Sequence, residues 1–409
     1  MAYTYRMHLL LSDGSSLASR QAAGLLARAG HDVGILSDDR WALTGWTRSV
    51  RRRHPCPRYG DDPLAWLDVA LRVAGDEGYD VLVPTQEQAA ALSAAADRVA
   101  AAGVRTAVPP FDALAAVQDK ATASATLDRL GIPQPPTTVV GPAERAVWDR
   151  FPVFAKLPVA TASTGVARCA SAAELAAFAP DAPQLVLQEP APGPLAMVQT
   201  VWCRGDLVAG HVNQRVVEGA GGGASRKRSL DRPDVVALLE RLGAALDWHG
   251  ALCADVILSP SGPVVIDVNP RLVEPANAAA SGVDLVGALV EAAFDRPAVQ
   301  PASTAGVETH QLLLAALGAA QRGEGRRAIA REVGDAVRRR GAYAGSREEL
   351  TPVGGDLRTA LPVAAVVGVA LAHPPAWRWF AGGSVAGYAL SPDGWDQLLE
   401  HRTRVGAHR

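Results

Sequence analysis

Apolar and polar positions along the chain fall into short runs that change character twice. Met7 to Leu11 is an apolar strand pattern ending at Ser12-Asp13-Gly14-Ser15-Ser16, followed by a helical spacing of Leu17, Ala22, Leu25 and Leu26 that stops near Gly30. Val33 to Leu36 and Asp80 to Val83 read as further strands. They are separated by a helix over about 63–74, and an Ala-rich helix over 86–102 follows. Strands alternating with helices predict a parallel, doubly wound sheet. After Pro109-Pro110 the pattern shifts. A helix is expected over about 121–130, broken by Gly131-Ile132-Pro133, and then strands over 137–140, 153–156 and 165–169. A helix at 172–178 and a strand at 185–188 follow. Met197–Cys203 and Leu207–Val217 form a hairpin around Arg204-Gly205-Asp206, and a helix spans 233–246. Two strands, 252–259 and 263–268, precede a helical region around 283–294. Adjacent hairpins mixed with helices indicate α+β in this middle part. Residues 300–409 are Ala- and Arg-rich and read as mostly helical to about 341, ending in the aromatic cluster Trp377, Trp379, Phe380, Tyr388 and Trp395. A cap, a dimer surface and a substrate lid all remain open for them.

Composition narrows the function classes. At roughly 150 residues per domain, 409 residues predict two or three domains, and 48% hydrophobic against 20% charged residues is a globular balance. Forty basic and forty-two acidic side chains give a net charge of −2, which provides no electrostatic footprint for nucleic acid. No long uncharged apolar run suggests a membrane span, and the first residues lack a signal-peptide core. Cys56, Cys169, Cys203 and Cys253 lie far apart with no CxxC pair. This argues against a disulfide frame or zinc site and for a reducing, cytoplasmic setting. The first turn has only Gly14 where a dinucleotide fingerprint needs three glycines. A capped helix start is the expected role of Ser12–Ser16, with a small anion at the helix N-terminus as the alternative.

The densest chemistry sits on the strands around Asp255 and Asp267. A three-residue Pro260-Ser261-Gly262 loop would pair Ser259 with Pro263, which sets Asp255 opposite Asp267 on one face with Asn269 two residues further on. Val256, Ile266 and Val268 would then point to the core. Two carboxylates side by side repel, and a hard divalent cation would relieve that repulsion. Mg²⁺ takes oxygen ligands from one or two carboxylates plus phosphates. A solvated acidic strand face is the competing reading.

Here the sequence resembles the ATP-grasp superfamily, in particular its carboxylate–amine ligases. Asp255 and the run Val265-Ile-Asp-Val-Asn-Pro-Arg271 resemble the metal-binding strands, with Asp267 in place of the usual Glu. Asp119-Lys120 resembles the opening of the first ATP-gripping subdomain, and Phe151-Pro-Val-Phe-Ala-Lys156 a phosphate-facing strand. Val186-Leu-Gln-Glu189 resembles the adenine hinge, and Trp248-His-Gly-Ala251 the entry to the acidic strand. These motifs stand in the family's order over roughly residues 110–295. The resemblance implies a Rossmann-like N-terminal domain over 1–110 and an ATP-grasp core over 111–299, with a small subdomain over about 120–190 and a larger one over 191–299. A mostly helical C-terminal extension over 300–409 completes this α/β and α+β multidomain fold.

The resemblance also implies roles. ATP is held by Lys120, Lys156, Thr161, Ser163, Thr164, Gln188 and Glu189. One or two Mg²⁺ ions, or Mn²⁺, are held by Asp255, Asp267 and Asn269. Arg271 and Arg215 act on the substrate anion. Arg226, Lys227 and Arg228, in a basic and mobile segment after Gly219–Gly223, join Glu87 on the acceptor side. The loop Leu157–Gly165 carries one glycine where the family has several, and Pro194-Leu195-Ala196-Met197 stands where many relatives place a ribose-binding Glu. The implied activity is ATP-dependent ligation of a small-molecule carboxylate and an amine through an acyl phosphate, by a monomer or homodimer. A bicarbonate-using carboxylase and a nucleotide-binding module without turnover are the alternatives.

Overall fold

The computed structural model describes residues 6–161, 163–350 and 356–407. Strands β1 (His8–Leu11), β2 (Asp32–Ser37), β3 (Val50–Pro55) and β4 (Val81–Val83) form an all-parallel sheet in the order β3-β2-β1-β4. Strands β1, β2 and β4 are nearly continuous apolar runs, as burial on both faces requires. The apolar pattern predicts three of the four. It misses β3 because Arg51, Arg52 and Arg53 are exposed on an edge strand, where charge blocks further pairing. The helix expected over 86–102 is two helices, Ala89–Ala94 and Ala96–Ala101, broken at Ala95.

A second sheet orders β5 (Thr137–Val140), β6 (Val153–Lys156), β7 (Val166–Cys169) and β8 (Leu185–Gln188) as β5-β8-β6-β7. Its pairs are antiparallel, and Val140, Val153, Ala155, Leu185 and Leu187 close its core. The largest sheet comprises β9 (Leu195–Cys203), β10 (Asp206–Glu218), β11 (Ala224–Leu230), β12 (Gly250–Ser259), β13 (Gly262–Asn269), β14 (Glu308–His310) and β15 (Arg347–Glu348). Their spatial order is β13-β12-β9-β10-β11-β14-β15. The helix Pro233–Ala245 covers one side of it through Val235, Leu238, Leu239 and Leu242.

Residues after 300 differ from the expected mostly helical extension in two ways. They add β14 and β15 to this sheet, and their helices continue past 341 as Ala360–Ala372, Trp377–Ala386 and Pro392–Ala407. The last of these helices packs into the first sheet's core. Leu390, Trp395 and Leu398 join Trp66, Leu67 and Leu82 there, and Trp395 lies 5.6 Å from the Phe111 ring. Among the described residues no helix is long and apolar enough to cross a membrane.

Candidate active site

The β12–β13 hairpin places Asp255 directly opposite Asp267 and Cys253 opposite Asn269. The route to that register differs from the expected one. Ser259 pairs with Gly262, so the loop is only Pro260-Ser261, with Gly262 at φ +123° where a side chain would be strained. A bulge between Asp255 and Val256 then absorbs Ile266, so Val256 faces Val265. Without that extra residue Asp255 would oppose Ile266. Val265 rather than Ile266 consequently enters the core, with Val256 and Val268. The bulge also turns the Ile266 carbonyl outward, where it accepts from Lys156 Nζ at 2.6 Å.

Asn269 Nδ2 donates to Asp255 Oδ2 at 3.4 Å, and Arg271 Nη2 donates to Asn269 Oδ1 at 3.2 Å. Burial, then the adjacent Asp267 charge, pushes the Asp255 carboxyl up to about 6, with Arg271 opposing. Among the described residues no group of three or more His, Cys, Asp or Glu is placed to hold a metal, so two carboxylates and one amide are the available donor set. Hard oxygen donors that repel one another fit a divalent cation whose remaining ligands are phosphate oxygens and water.

Two lysines and a set of hydroxyl groups lie near this pair. Lys156, at the end of β6, is buried. It donates to Gln188 Oε1 at 2.8 Å as well as to Ile266, and burial lowers its pKa against the pull of Asp267. Lys120 heads a helix capped by Asp119, whose carboxylate accepts from Ala121 N at 2.6 Å. Its Nζ reaches the Ala160 carbonyl at 2.7 Å. The Thr161 hydroxyl donates to Glu87, and Thr164 Oγ1 donates to the Thr161 carbonyl at 2.7 Å. Ser163 is exposed at φ +61°, and its Oγ faces Gly222 on the far side of the cleft. The cleft lined by Glu87, Lys120, Thr161, Ser163, Asp267 and Arg271 holds only about 50 Å³.

Glu87 ties the parts together. It accepts from Thr161, takes the Leu390 backbone N–H at 2.6 Å, and lies 3.7 Å from Arg271 Nε. Burial raises its pKa, with Arg271 the main opposing charge. Tyr388 enters the same region from the C-terminal segment. Its phenol is buried and its pKa raised, in the field of Arg271, Asp13, Glu87 and Glu274. Gly387 permits this entry, since a Cβ there would lie 2.6 Å from Ser15 Oγ. Tyr388 and Glu274 escaped the sequence reading. Tyr388 stood in the noted aromatic cluster without any pattern that gave it a role.

Other expected groups sit differently. Asp13 itself fills the first turn, accepting from Ser15 N and Ser16 N at 2.8 Å each, and Ser16 caps the helix Leu17–Arg28. The capped-helix reading therefore describes that turn, with its amides already bonded. The Glu189 carboxylate is paired with Arg150 at 2.9 Å, while its backbone N–H donates to Pro136 O. Gln188 lies buried between Lys156 and Thr137. Arg215 donates to the Gly222 carbonyl at 2.6 Å and pairs with Glu218 at 3.1 Å, and its charge is felt at Asp255.

The basic triplet needs correction. Arg226, Lys227 and Arg228 are not a mobile segment but the middle of β11, paired to both β10 and β14. Alternation puts Lys227 on one face and its neighbours on the other. Arg226 and Arg228 both bond Glu308, and Lys227 is buried between Glu274 and Glu349. They do not present three free cations to one anion.

Solved structures share this fold. L-amino acid ligase from Bacillus licheniformis superposes with a TM-score of 0.56 at 15% identity, covering 71% of this chain and 75% of that one. The biotin carboxylase domain of Hydrogenobacter thermophilus 2-oxoglutarate carboxylase, solved with MgADP, ADP and bicarbonate, gives 0.56 at 15%, covering 73% and 72%. Carboxyaminoimidazole ribonucleotide synthase from Aspergillus clavatus, complexed with ATP, gives 0.58 at 16%, covering 74% and 80%. The fold is the ATP-grasp fold. No protein-family model matches the chain, and no curated protein matches its sequence. Within the ATP-grasp frame, the β12–β13 hairpin and the sheet carrying Lys156 are the two walls of the cleft, joined by the Lys156–Ile266 bond.

Proposed function

We propose that the protein is an ATP-dependent carboxylate–amine ligase. The observation that carries this reading is the opposed Asp255–Asp267 pair, with Lys156 bonded to the intervening bulge. Asp255, Asp267 and Asn269 would hold Mg²⁺, one or two ions, with Mn²⁺ as a substitute. When bound, the cation supplies neutralisation of phosphate charge.

The chain's own groups do the rest. Lys120 and Lys156 bind the ATP phosphates, and Gln188 with the Glu189 backbone orients the base. Because 50 Å³ is far below the roughly 300 Å³ at which ligand pockets begin, nucleotide entry requires the Thr161–Gly165 loop to lift from Glu87. Thr161, Ser163 and Thr164 then close over the phosphates and exclude water. Arg271 and Arg215 hold the substrate carboxylate, whose oxygen attacks the γ-phosphorus. The bond to the β-phosphate bridging oxygen breaks, and ADP departs from an acyl phosphate. An amine adds to the acyl carbon, loses a proton, and expels inorganic phosphate to leave an amide. Glu87, Tyr388 and Glu274 line the acceptor side.

The test is phosphate release from Mg-ATP across paired carboxylic acids and amines. Release is expected only when both partners are present. One fold neighbour favours a second reading, since the biotin carboxylase domain was solved with bicarbonate. Release supported by bicarbonate in place of any carboxylic acid selects that reading. ATP binding with no release under any pairing selects a non-catalytic module.

Arg271→Ala separates binding from chemistry. ATP affinity should change less than about threefold, while turnover falls by about 10²-fold or more as the attacking carboxylate loses its anchor. Isothermal titration beside an ADP-formation assay reads both.

A further inference from the structure

A second cavity, of about 930 Å³, lies away from the nucleotide cleft and falls within the usual range for small-molecule sites. Several stretches of chain wall it. The helix Leu17–Arg28 contributes Arg20, Gln21 and Arg28, and the loop before β3 contributes Arg48. The helix Ala276–Ala280, Thr309 and the Arg347–Leu350 segment complete it.

Its charge is unbalanced. Six arginines line the cavity (Arg6, Arg20, Arg28, Arg48, Arg51 and Arg347) against four acids. Each acid already has partners. Asp32 takes Arg6 and Arg51, and Glu349 takes Lys227 at 3.0 Å and Thr309 at 2.6 Å. Asp356 accepts from Thr47 at 2.9 Å and from Arg358 N at 3.1 Å. Glu348 accepts from Leu312 N at 2.9 Å and Leu350 N at 3.0 Å. The side chains of Arg28, Arg48 and Arg347 make no hydrogen bond or ion pair among the described residues.

Arg20 is the decisive group. It is 5% exposed, yet the only hydrogen bond of its guanidinium among the described residues runs from Nη2 to the Leu350 carbonyl at 3.2 Å. A guanidinium carries five donors, and burying its charge without an anionic partner is unfavourable. Burial lowers its pKa to about 10. Asp356 pulls the other way, and Arg28 adds like charge.

We propose that this cavity binds a small multivalent oxyanion, phosphoryl- or carboxylate-bearing. Arg20 is its buried anchor, and Arg28, Arg48 and Arg347 surround its mouth. Arginine forks match both anion types in bidentate geometry. The cavity communicates with the acceptor side through a chain of contacts. Gln21 Nε2 donates to Glu349 Oε2 at 2.9 Å, Glu349 holds Lys227, and Lys227 holds Glu274 beside Tyr388.

The test is isothermal titration of the full chain at low salt with pyrophosphate and, separately, citrate. At least one is expected to bind with a submillimolar Kd. Binding of pyrophosphate alone assigns a phosphoryl ligand, and binding of citrate alone a carboxylate one. Arg20→Gln should weaken binding about tenfold or more, and the exposed pair Arg28→Gln/Arg347→Gln by a similar factor. The double variant keeps the test open if Arg20→Gln fails to fold. Lys120→Gln, in the nucleotide cleft, should leave this binding within about twofold. The proposal is overturned if neither anion binds at millimolar concentration. It is equally overturned if the arginine variants bind as wild type, or if Lys120→Gln removes the binding.

Discussion

Asp267→Asn is expected to lower ATP turnover by about 10³-fold or more while the protein stays folded. The reasoning starts from charge. Asp255 and Asp267 face each other across one strand pair, and among the described residues no third His, Cys, Asp or Glu joins them in a metal-holding group. Asparagine keeps the shape of the side chain and one oxygen but removes half of the anionic charge available to a divalent cation. Electrostatic neutralisation is the largest contribution that phosphoryl transfer draws from a protein, so losing it has a large effect. The fold should not suffer, because the substitution relieves repulsion between half-buried like charges. The metal-free variant should therefore melt at or slightly above the wild-type temperature, and the stabilisation that Mg-ATP gives wild type should disappear. ADP formation and thermal melts with and without Mg-ATP read the two effects separately. Wild-type turnover in the variant would remove the metal assignment and, with it, the ligase reading.

Lys227→Met should have the largest effect on stability. Lys227 is 5% exposed and pairs with Glu274 and with Glu349 at 3.0 Å. Burial alone would lower its pKa, yet the two carboxylates carry it above the ordinary lysine value. Methionine fills the space but leaves two buried acids facing each other without a cation. Breaking such a cluster costs about 3–5 kcal/mol. Guanidinium unfolding at neutral pH should show that loss. Adding Glu349→Gln to the variant should recover part of it, a coupling that a double-mutant cycle isolates. If Lys227→Met instead kept wild-type stability and raised the substrate KM, the lysine would return to the substrate-binding set.

These two residues mark what could and could not be read from the chain. The acidic hairpin was legible because strand alternation and a Pro-Ser-Gly turn act over a dozen residues, which put Asp255 and Asp267 on one face. The bulge was not legible, and the correct pairing emerged although the expected turn was one residue too long. The strands β5, β6 and β8 were legible from their own apolar runs. Strand β3 was hidden by three consecutive arginines, and β11 by the glycines before it and the charges within it. The Lys227 cluster depends on partners 47 and 122 positions away, and Tyr388 reaches Glu87 and Arg271 from the far end of the described chain. Contacts at that separation leave no local periodicity, so a buried structural lysine and a substrate-facing one look alike in sequence.

The helix Pro392–Ala407 inserts Trp395 and Leu398 into the core of the first sheet. During synthesis, the first hundred residues leave the ribosome roughly three hundred positions before the segment that completes them. Until then Phe111 lacks the Trp395 ring that packs against it. Closure of the first sheet's core awaits the helix Pro392–Ala407.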